Sequence, residues 1–282
     1  MTASSDDNEH QRLARELAVE PLVDLAEEAG RAILDIFHRG FSVSLKNDDS
    51  PVTEADLAAS SLIVRALQNR WPWPVLSEED AAKIDWATRS AWQTYWLVDP
   101  LDGTKEFISR SGDFTVNIAL IHEGSPVFGL IHAPVEGASW WGSCGGGACR
   151  QGRDGTVQPL SVAPMPKRIN DWIEVGSRSH RSDATARLST AIGSHQVWPV
   201  GSSLKMCHIA AGTAHLYLRL GPTGEWDTAA GQAILEAAGG VLVSASDLKP
   251  LRYNTRPQPV NPWFIAASAL DSRWTTPLRD LQ

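Results

Sequence analysis

The sequence has few cysteines, a deficit of basic residues and no long apolar run. Its three cysteines, Cys144, Cys149 and Cys207, are too few for a disulfide framework and favour a reducing compartment. Lysine and arginine number 25 against 33 acidic residues, and this net charge of −8 disfavours binding to nucleic acid polymers. No window reaches the roughly 18 apolar residues of a membrane span, and the polar start lacks a signal-peptide core. We therefore expect a cytoplasmic protein without a transmembrane segment.

The composition that remains is that of a folded globular protein. Of 282 residues, 43% are hydrophobic and 21% are charged, close to the averages of about 45–50% and about 25%. The length favours two joined subdomains or one large layered domain. The Pro-rich stretch at 162–166 places a boundary there. We predict a mobile leader at 1–20, an N-terminal α+β subdomain at 21–165 and a C-terminal α/β subdomain at 166–282.

Apolar periodicity predicts the main elements. A long amphipathic helix begins at Pro21 and ends at Gly40, and a second helix follows the polar segment KNDDSPVTEAD. Residues 95–98, FTVNIALI and SPVFGLIHAP are strand-like, and a His-Glu-Gly turn joins the last two. SCGGGAC is typical of a turn. Beyond 166, strand and helix patterns alternate, as in an α/β unit.

The most informative segment, WLVDPLDGT, runs from a buried strand into two aspartates. Pro100 keeps Asp99 out of helical geometry, so that Asp99 and Asp102 can face one point. Adjacent carboxylates repel, which indicates a shared proton or a divalent cation. Gly103 permits close backbone approach, and Thr104 starts a helix whose N–H groups favour an anion. The alternative is that both aspartates are turn and N-cap residues.

Three further carboxylates have similar surroundings and similar alternatives. Glu78 follows the apolar pair Val75-Leu76 and is a metal ligand or a solvated turn residue. Asp227 precedes a helix and is a metal ligand or its N-cap. Asp56 lies on the first turn after Thr53, where it acts near the metals or closes a capping box. Several carboxylates together suit Mg²⁺, which prefers oxygen ligands.

Two motifs carry a resemblance to a known superfamily. DPLDGT at residues 99–104 and WDTAAG at 226–231 are similar to the signatures of the lithium-sensitive, Mg²⁺-dependent phosphatases, which include inositol monophosphatase and fructose bisphosphatase. Across about residues 21 to 265 the chain most resembles the bacterial CysQ-type 3′(2′),5′-bisphosphate nucleotidases, in KNDDSPVTEAD, PVLSEED, YWLVDPLDGTKEFISRSGDFTVNIALI, SRSH, GSSLK and YLRLGPTGEWDTAAG.

The resemblance implies a fold and an activity. The fold is an α+β layered αβαβα sandwich, with an antiparallel sheet in the N-terminal half and a mixed sheet in the C-terminal half. The activity is hydrolysis of adenosine 3′,5′-bisphosphate to AMP and phosphate in sulfur metabolism, by a water activated at two or three Mg²⁺ ions. Lithium inhibition is expected on the same ground.

The resemblance also implies roles for individual residues. The metal ligands are Glu78, Asp99, the carbonyl of Leu101, Asp102 and Asp227, with Asp56 beside a weaker metal. Thr104 and Glu78 position the water, while the N–H groups of Gly103 and Thr104 hold the phosphate. The nucleotide-side residues are His180, Ser202, Lys205 and Arg219, and Asp227 contacts the substrate as well as the metal.

Chemistry supports these last residues separately, because a substrate with two phosphates needs a cation for the one that is not hydrolysed. Lys205 and Arg219 can supply it, although surface cations are usually only solvated. Glu225 departs from the pattern as an acid next to Trp226. It either tightens metal binding or weakens substrate binding.

Two alternative functions and one surface feature stay open at this point. The alternatives to a bisphosphate nucleotidase are a broad inositol or sugar monophosphatase and a non-catalytic nucleotide or metal sensor. It is a monomer or a homodimer. Trp71, Trp73, Trp140 and Trp141 either pack in the core or form an exposed patch for peripheral contact with the inner face of the cell membrane.

Overall fold

A computed structural model describes residues 5–45, 51–177 and 182–281. Its helices are α1 (Ser5–Glu16), α2 (Glu20–Arg39), α3 (Glu54–Arg70), α4 (Trp86–Arg89), α5 (Thr104–Ile108), α6 (Asp183–Ile192), α7 (Leu204–Ala210), α8 (Ala229–Ala237) and α9 (Ser272–Asp280). Its strands are β1 (Val43–Leu45), β2 (Pro51–Thr53), β3 (Val75–Ser77), β4 (Thr94–Asp102), β5 (Thr115–His122), β6 (Ser125–Ala133), β7 (Ala138–Ser143), β8 (Gly147–Gln151), β9 (Val157–Leu160), β10 (Ile173–Ser177), β11 (Gln196–Val200), β12 (Leu216–Arg219), β13 (Val241–Ser244) and β14 (Phe264–Ala267). Short 3₁₀ turns lie at Glu78–Lys83, Ile169–Asp171 and Glu225–Asp227.

The described strands form two large sheets and the β1–β2 ribbon. The seven-stranded sheet has the order β3-β4-β5-β6-β7-β8-β9, and the five-stranded sheet has the order β11-β10-β12-β14-β13. The second sheet is mixed, as expected. The first is antiparallel except at its edge, where β3 and β4 run parallel. The expected antiparallel sheet thus carries one parallel pair at its edge, where the chain returns through a 3₁₀ turn and α4 between the two strands.

Three apolar cores define the layers. The first lies between α2, α3 and the outer face of the seven-stranded sheet. The second lies between the two sheets, around α7 and α8. The third joins the five-stranded sheet to α6 and α9. The order of layers is therefore αβαβα, which confirms the predicted fold class.

The two predicted N-terminal helices form where their sequence signals place them. Pro21 occupies the first turn of α2, and Gly40 ends the helix with a φ of +93° that favours glycine. The predicted apolar stripe of α2 is buried throughout, at Leu22, Leu25, Ala29, Ile33 and Ile36. Helix α3 begins at a capping box formed by Thr53 and Asp56. Both helices cover the sheet that carries the acidic segment.

The leader expected at residues 1–20 is only partly as predicted. Residues 5–16 form α1, in which Leu13 and Ala14 are buried, and Leu17 just beyond it joins the first core. The polar first residues concealed this apolar face, which packs near β6. This part of the chain is therefore a packed helix rather than a mobile leader.

The change from one sheet to the other falls between Leu160 and Ile173. Helices α7 and α8 nevertheless pack between both sheets in one continuous core. The division into subdomains at residue 165 therefore stays a prediction. In the segments that the structure describes, no helix is both long and apolar enough to cross a bilayer.

The four tryptophans pack against the body of the protein. The rings of Trp71 and Trp73 lie 5.2 and 5.9 Å from that of Trp96, which is fully buried. Trp140 is 5% exposed, and Trp141 is half-buried against the first core. These contacts confirm the packing interpretation and remove the argument for an exposed aromatic patch.

Candidate active site

The parallel pairing of β3 and β4 brings two distant carboxylates to one sheet edge. Ser77 pairs with Val98, so that the next residues, Glu78 and Asp99, leave the ends of neighbouring parallel strands together. Strand β4 continues through Pro100 to Asp102, and its pairing with β5 is irregular between Asp99 and Asp102. Such an irregularity re-aims side chains at a functional site.

The third aspartate comes from the C-terminal half of the chain. Asp227 ends the 3₁₀ turn Glu225–Asp227, which contacts β4 and β5. One carboxylate oxygen each of Asp99, Asp102 and Asp227 lies within 4.8 Å of the other two. Glu78 lines the same cavity of about 260 Å³ as Asp102 and Asp227. The residue at the N-cap of α8 is Thr228, so Asp227 is not the cap that the alternative interpretation required.

The cluster is electrostatically unfavourable without a positive charge. Burial raises the pKa of Asp99 well above its usual range, and the charges of Glu78, Asp102 and Asp227 raise it further. Burial also raises the pKa of Asp227, and the negative charges of Asp102 and Glu78 raise it further. Carboxylates in such a group share protons or bind a cation.

The donor set fits a hard divalent cation. The clustered side chains offer carboxylate oxygens. Mg²⁺ prefers such ligands, whereas softer metals prefer thiolate or imidazole ligands. The carbonyl of Leu101, the remaining expected ligand, lies in the same turn, with its oxygen 3.4 Å from Thr104 Oγ1. The chemistry of the cluster therefore matches the metal dependence of the phosphatases that the sequence resembles.

Asp102 is held by hydroxyl groups from the segment before α7. Ser202 Oγ and Ser203 Oγ both donate to Asp102 Oδ2, at 2.9 and 2.7 Å. Ser203 Oγ also lies 2.9 Å from the main-chain oxygen of Asp227 and accepts Asn117 Nδ2 at 2.8 Å. The two halves of the chain are therefore joined through Ser203 directly at the acidic cluster.

Sequence reasoning missed Ser203, Asn117 and Thr115. Thr115 Oγ1 donates to Asn117 Oδ1 at 2.9 Å and lies 2.5 Å from Ser202 Oγ. One signal was available, because Asn117 interrupts the apolar run TVNIALI and is only 1% exposed. A buried polar residue in a strand needs partners, and Asn117 lies opposite Asp99 in the sheet.

Thr104 and Asp56 are in contact. Thr104 Oγ1 donates to Asp56 Oδ1 at 3.1 Å. Asp56 Oδ2 accepts the backbone N–H and the hydroxyl of Thr53, at 2.8 and 2.6 Å. Burial raises the pKa of Asp56, and these hydrogen bonds lower it in part. Asp56 thus closes the capping box of α3 and also reaches the start of α5.

Gly103 and Thr104 lie where a phosphate-binding turn was expected. Gly103 precedes α5 with a φ of +91°, and a Cβ there would come within 3.0 Å of the Asp113 carbonyl. Only glycine fits this position without strain. Both residues line the cavity with the acidic side chains.

Ser202, Lys205 and Arg219 line the same cavity. Lys205 is 4% exposed, and its Nζ donates to the Ser202 carbonyl at 2.5 Å and lies 5.3 Å from the centre of the Tyr217 ring. Burial lowers the pKa of Lys205 to about 8, against the raising effect of Asp102. Arg219 Nη2 donates to the Pro222 carbonyl at 2.7 Å. His180 lies outside the described residues.

The carboxylate of Glu225 has a hydrogen-bond partner outside the acidic cluster, and its effect on metal or substrate binding stays a prediction. It is 1% exposed, and its Oε2 accepts the backbone N–H of Asn254 at 2.8 Å. Burial raises its pKa to about 7, while Asn254, Arg89 and Arg256 lower it. The side chain of Glu225 therefore contacts the segment at 254–256, whereas that of Asp227, in the same 3₁₀ turn, points to the acidic cluster.

The layered fold and the acidic cluster define a metal-dependent phosphatase architecture, and comparison with known proteins agrees. The inositol monophosphatase family model matches residues 15–275. The chain is 45% identical to the 3′(2′),5′-bisphosphate nucleotidase CysQ of Salmonella typhimurium over 257 residues, which cover 87% of this chain and 98% of that protein. It is 44% identical to CysQ of Escherichia coli K12 over the same shares.

Solved structures give the same result. The crystal structure of CysQ from Bacteroides thetaiotaomicron, a bacterial member of the inositol monophosphatase family, matches with a TM-score of 0.75 and 39% identity over 87% of this chain and 94% of that one. The Thermotoga maritima IMPase TM1415 shares the fold, with a TM-score of 0.73 at 20% identity. The chain belongs to the inositol monophosphatase family.

Proposed function

We propose that this chain is a 3′(2′),5′-bisphosphate nucleotidase of the CysQ type that hydrolyses adenosine 3′,5′-bisphosphate to AMP and phosphate. One observation carries the proposal. A single cavity is lined at once by three acidic residues (Glu78, Asp102 and Asp227), by the Gly103-Thr104 turn and by the two cations Lys205 and Arg219. A monophosphatase needs the first two features, whereas a substrate with a second phosphate also needs the third.

Glu78, Asp99, Asp102, Asp227 and the Leu101 carbonyl would hold the cations, which we propose are two or three Mg²⁺. When bound, the cations offset the charge of the phosphate and lower the pKa of the attacking water. The protein supplies the positions of these ligands, which pairing of β3 with β4 and the hydroxyls of Ser202 and Ser203 fix. This preorganised charge is the main contribution expected of the site.

Thr104 would orient the attacking water together with Glu78. Its hydroxyl hydrogen points to Asp56 Oδ1, so that an oxygen lone pair can accept a hydrogen from water. Asp56 is suited to this role because burial raises its pKa and makes the carboxylate a better proton acceptor. No side chain needs to form a covalent intermediate. The N–H groups of Gly103 and Thr104, at the start of α5, would hold the phosphate oxygens.

Lys205, with Arg219 and Ser202, would bind the phosphate that stays on the product. The ammonium group carries three N–H donors, and the Ser202 carbonyl takes one of them. Its burial strengthens attraction to an anion, because charges interact more strongly away from water. We also propose that the protein acts in the cytoplasm, since three cysteines are too few for a disulfide framework, and as a monomer or homodimer.

Comparison of kcat/KM for three substrates tests the proposal. We expect a higher kcat/KM for adenosine 3′,5′-bisphosphate than for inositol 1-phosphate or fructose 1,6-bisphosphate. The reason is that only the nucleotide places its second phosphate at Lys205 and Arg219 while its 3′-phosphate is hydrolysed. Higher kcat/KM for either of the other two would favour a broad monophosphatase. Tight nucleotide binding without phosphate release would favour a sensor. Asp24→Asn, an exposed change on α2, is the control for Asp99→Asn, which should lower kcat by orders of magnitude.

A further inference from the structure

The His-Glu-Gly turn between β5 and β6 gathers metal-ligating side chains that the proposed reaction does not use. One ring nitrogen of His10, one of His122 and a carboxylate oxygen of Glu123 lie within 4.8 Å of one another. His10 comes from α1, whereas the other two lie at the end of β5. We propose that these three residues bind a Zn²⁺-class transition-metal ion that ties α1 to the seven-stranded sheet.

His122 is already oriented as a ligand. It is 5% exposed, and its Nδ1 lies 2.7 Å from the hydroxyl of Thr94, its partner across the β4–β5 ladder. A metal-ligating histidine usually has its second ring nitrogen fixed by a hydrogen bond in this way, which sets the tautomer and the ring plane.

Glu123 is held in an unusual backbone conformation. It has a φ of +47° and is followed by Gly124 at +73°, in the two-residue loop between His122 and Ser125. Such loops prefer asparagine, aspartate or glycine at the first position, and glutamate there is strained. The carboxylate is nevertheless fixed, because Gln93 Nε2 donates to Glu123 Oε1 at 2.9 Å, and the Gln93 carbonyl accepts the Glu123 N–H at 2.7 Å.

His10 supplies the observation that points to a missing partner. Its Nε2 is buried and makes no hydrogen bond with any residue in the described segments. A buried polar nitrogen without a partner carries a free-energy penalty. The His10 ring lies edge-on to that of His122 at 5.5 Å between centres. A metal ion bound at Nε2 would satisfy this nitrogen.

The donor set selects the class of metal. Two imidazoles and one carboxylate are typical of three-ligand Zn²⁺ sites that keep an open position for water. Mg²⁺ prefers oxygen ligands, which the acidic cluster of the active site offers. His10 also borders a cavity of about 490 Å³, which leaves room for a water molecule as the fourth ligand.

Metal binding to the full chain tests the proposal, with Mg²⁺ in excess so that the active site is filled. Zn²⁺ is titrated against a chromophoric chelator, and Co²⁺ serves as the spectroscopic probe. We expect one high-affinity equivalent in the unmodified protein and its loss in His10→Ala. Thr94→Val, which removes only the hydrogen bond to His122, should weaken binding by about 10–100-fold. His38→Ala, at an exposed histidine of α2, should bind as the unmodified protein does.

The spectrum separates this site from the cysteines. Bound Co²⁺ should give the visible bands of a tetrahedral ion without thiolate charge transfer, and Cys144→Ser should leave them unchanged. Zn²⁺ should also raise the midpoint of thermal unfolding in the unmodified protein and not in His10→Ala. Equal stoichiometry in His10→Ala, a thiolate band lost in Cys144→Ser, or no equivalent beyond the active site would each overturn the proposal.

Discussion

Replacing Asp99 by asparagine should inactivate the protein and, in the absence of metal, stabilise it. Asp99 is 1% exposed, and burial with three nearby carboxylates raises its pKa well above the usual range. Folding therefore favours the protonated form of Asp99, whereas in the unfolded chain it is ionised at pH 7, with a pKa of about 3.9. Asparagine keeps the oxygen that accepts the Leu101 N–H and has no charge to lose.

The magnitude follows from linkage between protonation and folding. Keeping one carboxyl protonated at pH 7 costs at most about 1.4 kcal/mol for each of about three pH units, or about 4 kcal/mol. Because the folded state binds more protons than the unfolded state, the stability of the apo-protein falls as pH rises from about 4 to 7. Asp99→Asn should remove that loss and gain up to about 4 kcal/mol at pH 7.

Urea denaturation in EDTA, at pH values from 4.5 to 7, measures this difference. The advantage of Asp99→Asn should grow with pH, while Asp24→Asn should follow the unmodified protein. Saturating Mg²⁺ should narrow the difference, since a ligand at 100 times its Kd adds about 2.7 kcal/mol only where the site is intact. The electrostatic reasoning is refuted if Asp99→Asn is less stable than the unmodified protein in EDTA at pH 7, or if its advantage does not change with pH.

The remaining predictions concern the surroundings of the cluster. Lys205→Met should raise KM for the bisphosphate more than for a simple monophosphate ester. In the unmodified protein, the KM for the bisphosphate should rise above about pH 8, where Lys205 loses its charge. An equal change for both substrates would contradict binding of the second phosphate by Lys205. Ser203→Ala removes a hydrogen-bond donor to Asp102 and should raise the Mg²⁺ concentration for half-maximal activity by about 10–100-fold. Ser194→Ala, at an exposed serine, is the control. An unchanged Mg²⁺ dependence in Ser203→Ala would exclude a positioning role for Ser203. Glu225→Gln should flatten the fall in stability between about pH 4.5 and 7, worth up to about 3 kcal/mol, because burial raises the Glu225 pKa to about 7; an unchanged slope in urea denaturation would show that Glu225 stays ionised.

Local signals in the sequence were sufficient for most elements near the site. The periodicity from Pro21 to Gly40 predicted α2, and FTVNIALI predicted β5. The resemblance of the acidic motifs then indicated the fold family, which the match to the family model confirms. These successes share a cause, since helix stripes, turns and signature motifs are encoded by residues close together in the chain.

What could not be predicted depends on pairing between distant segments. Strand β3 is only three residues long, and nothing local shows that it runs parallel to β4. That pairing is what places Glu78 beside Asp99. In the same way, the bridge from Asn117 through Ser203 to Asp102 joins residues 86 and 101 positions apart. Residue types indicate a need for partners but do not identify them.

The structural and functional interpretations of the acidic residues prove compatible, because a carboxylate has two oxygens. Asp56 uses Oδ2 to close the capping box and Oδ1 to accept Thr104. Asp99 fixes one oxygen on the Leu101 N–H, Asp227 fixes one on the Gly224 N–H, and Asp102 fixes one on two hydroxyls. Asp99, Asp102 and Asp227 are each oriented by one oxygen, which leaves the other as the one to face a cation. A site held in this way needs little rearrangement on binding, so the turn and cap geometry of this segment is the means by which the cluster is built.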